Sequence, residues 1–232
     1  MNSNDNKTIV MALGGSIIVP EKINTEFLKG FRNFILKFLD EGKRFVIVAG
    51  GGITARNYQN AASEIVDISD EDKDWIGIHA TRLNGHLLRT VFFDVAHPII
   101  LDDPTKDIGN EDKHNLFVAS GWKPGWSTDY IAVMLAVRFH TDSVLIATRI
   151  DYVYDDDIEK NPSAKRLEKL SWQQYRKMVG DEWTPGMKAP VDPIAAKLAE
   201  EKSVEAIIVK GTELENLAKA VRGEDFKGSV IR

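Results

Sequence analysis

The chain contains no cysteine, so disulfide frameworks, Cys-ligated zinc and thiol nucleophiles are all excluded. It contains no apolar run of membrane-spanning length. Its first residues, MNSNDNKTIVMALGG, lack the basic segment and long apolar stretch of a secretory signal. The expectation is a cytoplasmic protein with no membrane partner. Positive charge is also scarce: 30 Lys and Arg against 35 Asp and Glu leave a net charge of -5. That argues against nucleic acid as a partner while leaving room for a local basic pocket. The P-loop pattern G-x-x-x-x-G-K-[ST] is absent, as are H-R-D, D-F-G and H-E-x-x-H, and no G-x-G-x-x-G follows the first apolar run. His79, His86, His97, His114 and His140 have no mutual ligand spacing. No side chain is assigned to a metal.

What is present is alternation. Short apolar runs at Thr8–Leu13, Phe45–Val48, Pro98–Leu101, Leu116–Ala119, Ser143–Ala147 and Ala206–Val209 read as buried strands. Between them, helical periodicity covers Thr25–Asp40, Thr54–Val66, Asp74–Phe93, Asp129–Phe139, Trp172–Val179, Pro193–Lys202 and Glu213–Val221. This pattern predicts an α/β fold, with a mostly parallel central sheet between two helical layers. With 232 residues the chain is long enough for a substantial core, and no repeat or linker interrupts it. The polar stretch Asp102–Lys113 reads as a surface loop.

In such sheets ligands bind beyond the C-terminal strand ends. Strand one ends in Gly14-Gly15-Ser16. The second runs into V-A-G-G-G-I-T-A-R-N-Y, with Gly50, Gly51 and Gly52 followed by Arg56. A later end carries Ser127-Thr128-Asp129 at a helix start. A glycine run is conformationally costly, and two explanations compete for it: a tight turn, or a backbone that approaches a phosphate at a helix N-terminus. Two glycine clusters plus a hydroxyl- and carboxylate-rich helix start favour a phosphate-bearing ligand. Asp129, Thr128 and Ser127 also suit helix capping, and Asp192-Pro193 is a good N-cap with proline at the first helical position.

These segments resemble the amino acid kinase family, and within it the uridylate (UMP) kinases of archaeal type. The likeness rests on L-G-G-S (Leu13–Ser16), A-G-G-G-I-T-A-R-N-Y, D-W-I-G-I-H-A-T-R-L-N-G (Asp74–Gly85) and G-W-K-P-G-W-S-T-D (Gly121–Asp129). It continues through T-R-I-D-Y-V-Y-D-D-D (Thr148–Asp157), V-D-P-I-A-A-K (Val191–Lys197) and G-S-V-I (Gly228–Ile231). The resemblance implies an amino acid kinase-like fold in one domain spanning 1–232. An acceptor lobe would cover about residues 1–140 and an ATP lobe about 141–232. It implies a kinase that passes the ATP γ-phosphate to UMP with Mg²⁺, and a homo-oligomer built as a hexamer from dimers. UMP would lie against Gly50, Gly51, Gly52, Arg56, Asp74, Gly77, Gly121, Lys123 and Thr128. ATP would lie against Gly14, Gly15, Ser16, Thr148, Asp151, Tyr154, Asp157 and Met187. Arg56, Asp129 and Asp192 would serve the transfer itself.

The chain departs from the family pattern at Ala12, where most members carry a lysine, and at Tyr152, where they carry a glycine. Trp122 and Trp126 add bulk to the acceptor loop. Two alternatives stay open at this level: a nucleotide-binding homologue without turnover, and a kinase for another small phosphate or carboxylate. The aromatic stripe of Thr25–Asp40 and the wide apolar face of Asp74–Phe93 either support assembly or cover the sheet.

Overall fold

A computed structural model describes residues 8–109, 113–158, 160–182 and 189–232. Strands and helices are numbered in chain order. Five strands run parallel: β1 (Thr8–Leu13), β2 (Arg44–Ala49), β3 (Leu116–Ala119), β4 (Ser143–Thr148) and β8 (Glu205–Lys210). The short β9 (Ser229–Ile231) lies antiparallel to β8, and β7 (Lys169–Leu170) closes the edge beside β9. The seven-stranded order is β3-β2-β1-β4-β8-β9-β7. A separate hairpin pairs β5 (Val153–Tyr154) with β6 (Arg166–Leu167).

Successive side chains on a strand point to opposite faces, and both faces are buried here. Val10, Ala12, Val46, Val48, Phe117 and Ile146 face one apolar cluster with α5 (Thr128–Arg138) and α7 (Pro193–Lys202). Met11, Leu13, Phe45, Ile47 and Leu145 face the other, with α2 (Thr25–Asp40) and α8 (Leu214–Arg222). The predicted three-layer arrangement is therefore observed. The aromatic stripe of α2 belongs to the second cluster: Phe27, Phe31, Phe34 and Phe38 form a chain of ring contacts that reaches Phe92 and Phe45. Each fully buried ring contributes roughly 1.5–3 kcal/mol. That stripe covers the sheet and is unavailable for assembly.

One expected strand is missing. Residues 98–101 form no ladder; only isolated bridges at Ala96 and Leu101 touch β3. Pro98 has no N–H to donate, and the N–H of Ile99 is diverted to Nδ1 of the buried His97 at 3.2 Å. The other ring nitrogen of His97 lies 3.2 Å from the Gly109 carbonyl and tethers the polar loop that follows.

Two further helices matter for the site. The 14-residue α3 (Gly52–Ile65) starts at the end of β2, and the 22-residue α4 (Asp70–Val91) packs along it. Ser69 caps α4 by accepting from the Asp72 N–H at 3.1 Å, and Asp70, Glu71 and Asp72 complement its positive end. The four-residue α1 (Gly15–Ile18) turns the chain directly after β1.

Candidate active site

At the C-terminal ends of β1, β2 and β3 lies a cavity of about 310 Å³. Gly14, Gly15, Ser16, Gly50, Gly51, Gly52, Arg56, Asp74, Gly77, Gly121, Thr128, Asp129 and Asp192 all line it. Most of the sequence-expected positions thus converge. The cavity also takes in residues that sequence reasoning passed over, including Gln59, Ile78, Thr81 and Ala189. The helical spacing of Gln59, Ile78 and Thr81 was visible, but which of them faced a ligand was not, and Ala189 lies in the loop before Pro193.

The two glycine turns touch one another. A Cβ on Gly15 would sit 2.1 Å from the Gly52 nitrogen and 2.6 Å from the Gly50 carbonyl oxygen. Gly52 has φ +65°, a left-handed conformation that side chains rarely adopt. Both competing explanations for the glycines therefore apply: they build a tight junction, and the junction faces a cavity. Two of the expected amide donors are already engaged. The Gly14 N–H donates to the Ala147 carbonyl at 2.9 Å and the Gly50 N–H to the Leu13 carbonyl at 3.0 Å. The amides available to an anion are those at the free N-terminal ends of α1 and α3, from Gly15 and Ser16 and from Gly51 and Gly52. Arg56 stands one turn into α3, exposed, and forms no ion pair among the described residues.

The far end of the cavity is tied to α4. Asp74 Oδ2 accepts from the Gly125 N–H at 2.7 Å, and Thr81 Oγ1 accepts from the Gly121 N–H at 2.8 Å. Arg82 donates to the Trp122 carbonyl at 3.3 Å. The loop between β3 and α5 is thereby clamped along one helix face. Burial raises the pKa of Asp74, the Gly125 N–H lowers it, and Asp70 raises it further. Trp126 lines the cavity and packs edge-on against Tyr130 at 4.2 Å. Lys123 does not enter it: its ammonium lies 4.0 Å from the Trp122 ring centre and 5.0 Å from that of Trp126.

Asp129 and Asp192 meet where α5 and α7 begin. Asp192 is 4% exposed and caps α7, its Oδ1 accepting from the Ile194 and Ala195 N–H groups at 2.9 and 3.0 Å. The Ser127 hydroxyl donates to the other oxygen of Asp192 while accepting the Tyr130 N–H, so two helix caps are bonded to each other. Behind them the Tyr175 hydroxyl donates to the Val191 carbonyl at 2.7 Å and accepts its N–H at 2.9 Å. Burial, and then the neighbouring Asp192 charge, push Asp129 up to about 8. One proton is thus retained by this pair at neutral pH.

The expected donor-side residues are less concentrated. Thr148 lines a second cavity of about 150 Å³, which adjoins the first and is shared with Ala12, Thr128 and Asp129. Asp151, Tyr154 and Asp157 line neither cavity; the Tyr154 hydroxyl donates to Asp151 Oδ1 at 2.8 Å. Tyr152 lines neither cavity: it is 8% exposed, with the Arg166 guanidinium 5.3 Å from its ring centre. Met187 lies outside the described residues.

The pattern of the amino acid kinase family matches residues 7–210. The chain belongs to the amino acid kinase family. Among this family member's relatives, the uridylate kinase of Thermococcus kodakarensis is 32% identical over 96% of this chain and 98% of its own length. That of Methanococcoides burtonii is 33% identical over 94% and 93%. A crystal structure of uridylate kinase from Archaeoglobus fulgidus superposes with a TM-score of 0.80 and 32% identity, covering 97% of this chain and all of the other. The UMP kinase of Bacillus anthracis, at 23% identity and a TM-score of 0.78, shares the fold. As an amino acid kinase family member, the chain carries its converging strand-end residues in the seven-stranded, mostly parallel sheet described above.

Proposed function

We propose that this protein is a nucleoside monophosphate kinase that transfers the ATP γ-phosphate to UMP, giving UDP and ADP. The observation that carries this reading is the back-to-back contact of the two glycine turns on one cavity. Anions held by the two helix starts lie side by side, as an acceptor and a donor phosphate must. The relatives named above support the choice of UMP.

The reading assigns the acceptor phosphate to the Gly51 and Gly52 amides and to Arg56, whose planar fork pairs with phosphate oxygens. Asp74 has one oxygen left to accept from a ribose hydroxyl. The amides of Gly15 and Ser16 hold the transferring group. An acceptor phosphate oxygen attacks Pγ in line; the new O–Pγ bond forms as the bond from Pγ to the β-phosphate bridging oxygen breaks, and ADP departs with that electron pair. No covalent intermediate with the protein is needed, because positioning and charge stabilisation carry most of this chemistry. The donor set suits a hard cation only sparsely. Asp192 has both oxygens engaged, which leaves Asp129 as the freer carboxylate facing the cavity. That fits a magnesium ion held chiefly by ATP phosphates, with Asp129 assisting once the ion has displaced its proton. When bound, it neutralises phosphate charge. In this reading the acceptor contacts come from residues before about 140 and the remaining ATP contacts from those after it, while Gly15 and Ser16 hold the transferring phosphate.

An ADP-release assay across UMP, CMP, AMP and GMP tests the proposal: release with UMP is expected, and release no faster than background overturns it. Ala12 favours a second reading. It is 5% exposed beside the smaller cavity, where most of the family carries lysine, and Lys123 does not reach that place. Calorimetry that detects UMP and ATP binding alongside zero turnover selects a nucleotide-binding protein instead.

Assembly into a homo-oligomer belongs to the same proposal, but through a different surface from α2. Trp75, His79, Leu83, His86 and Thr90 form an uncharged, outward-facing stripe on α4, with Leu83 62% exposed. A monomer by light scattering at micromolar concentration removes this part.

A further inference from the structure

We infer that Asn84 is a positioning residue for the acceptor phosphate, aiming the triple-glycine turn by holding its carbonyl groups; this rests on the acceptor reading above. Asn84 lies on α4, is 3% exposed, and does not itself line the cavity. Its amide Nδ2 donates to the Gly50 carbonyl at 2.7 Å and to the Gly51 carbonyl at 3.1 Å, across more than thirty residues of sequence. Two carbonyl oxygens on one side leave no choice of amide orientation: only the NH₂ end can face them.

The consequence lies in the peptide planes. In a trans peptide the carbonyl and the following N–H point in opposite directions. Drawing the Gly50 and Gly51 carbonyls down toward α4 therefore turns the N–H groups of Gly51 and Gly52 up toward the cavity. A glycine turn has little intrinsic preference among conformations. Left alone, it would present carbonyl oxygens to the ligand for part of the time, and those repel a phosphate. Asn84 removes that option with two bonds from one buried group. Gly52 at φ +65° completes the reversal into α3. Thr81, one turn earlier on the same helix, holds the opposite wall through the Gly121 N–H.

The test compares ligands that differ only in the phosphate. Calorimetric titrations of UMP, uridine and ATP are run on the wild type, on Asn84→Ala and on Asn84→Asp. A buried carboxyl facing two carbonyl oxygens is held protonated and restores one of the two donors. UMP binding is expected to weaken about 10- to 100-fold in Asn84→Ala, the scale of one or two lost bonds to a charged group, and less in Asn84→Asp. Uridine and ATP binding are expected to stay within about 3-fold, well under the tenfold of one such bond. Should Asn84→Ala not fold, the same UMP-only loss in Asn84→Asp carries the result. An unchanged preference of UMP over uridine in a folded variant overturns the inference. So do equal losses for all three ligands together with a collapsed melting temperature, because Asn84 would then serve only stability. A wild type that shows no preference for UMP over uridine would instead sink the acceptor reading on which the inference stands.

Discussion

The two sides of the cavity are built in different ways. Around β2 and β3 the loops are bonded to distant residues of α4: Gly50 and Gly51 to Asn84, Gly121 to Thr81, Gly125 to Asp74 and Trp122 to Arg82. On the side that begins at Thr148, the segments after β4 are tied to one another and to β9, where Ser229 Oγ accepts from the Val153 N–H at 2.8 Å, and not to α4. Tyr154 bonds Asp151, Asn161 bonds Asp156, and Lys165 bonds Asp155. Local bonds of this kind form a hairpin but do not shape a cavity, and none of Asp151, Tyr154 and Asp157 lines one. The wall formed by the loops after β2 and β3 is thus held by α4, whereas among the described residues Asp151, Tyr154 and Asp157 stand apart from both cavities.

The largest effect belongs to the contact between the turns. Gly15→Ala places a methyl 2.1 Å from the Gly52 nitrogen, with backbone on every side and nothing able to yield. Loss of roughly 4 kcal/mol or more is expected, as for other severe overpacking and strain. It should appear as failure to fold or a melting temperature lowered by more than about 8 °C. A well-folded Gly15→Ala would mean that the junction is looser than the distances indicate.

Arg56→Ala should weaken UMP binding by about 1.5–3 kcal/mol, or roughly 10- to 150-fold, with ATP binding and stability nearly unchanged. An arginine that served only in a surface pair would leave UMP binding intact. Titration of both nucleotides together with a melting curve separates the outcomes.

The Asp129–Asp192 pair gives a pH signature. Burial and the Asp192 charge hold the Asp129 proton up to about 8, against 3.8 for a free carboxyl. Between those values the folded state binds more protons than the unfolded one. This contribution is therefore fully present below about pH 4 and is lost as pH rises toward 8. Asp129→Asn, an uncharged isostere, should melt increasingly above the wild type from pH 5 to about pH 8 and by a constant margin beyond it, at roughly 2–4 °C per kcal/mol relieved. A gap already constant between about pH 5 and 8 would place the titration elsewhere.

The smallest effect is expected from Tyr154→Phe, which removes one neutral donor to a carboxylate in the hairpin. About 0.5–1.5 kcal/mol of stability should be lost, with UMP binding unaffected. Loss of UMP binding in this variant would erase the contrast between the two sides.

Much of this was legible in the sequence, for physical reasons. The bounds of α2, α6 (Trp172–Val179) and α7 agree with the periodicity, because long amphipathic stripes and clear caps mark them. Residues 98–101 were misread because an apolar run does not reveal that a histidine side chain captures its N–H. The four-residue α1 and the two-residue β5, β6 and β7 are too short to show any period. In the site, Gly50, Arg56 and Asp74 could be singled out by type and place. That Gly15 and Gly52 press against each other could not, since contact between turns leaves no pattern along a chain. Asn84 stood in plain view within Asp74–Gly85, and nothing local disclosed which carbonyls it would meet.

Helix α4 also acts as a ruler. Asp74 and Asn84 stand ten residues apart on it, about 15 Å at 1.5 Å per residue. In the proposed reading the sugar end and the phosphate end of the acceptor are gauged by one rigid helix and not by the reach of a loop. Loop chemistry between Gly121 and Thr128 can change without altering that length. Adding one residue inside α4 would turn everything beyond it by about 100°. Asn84 would then lose both glycine carbonyls while Asp74 kept its place, and the gauge would fail at one end only.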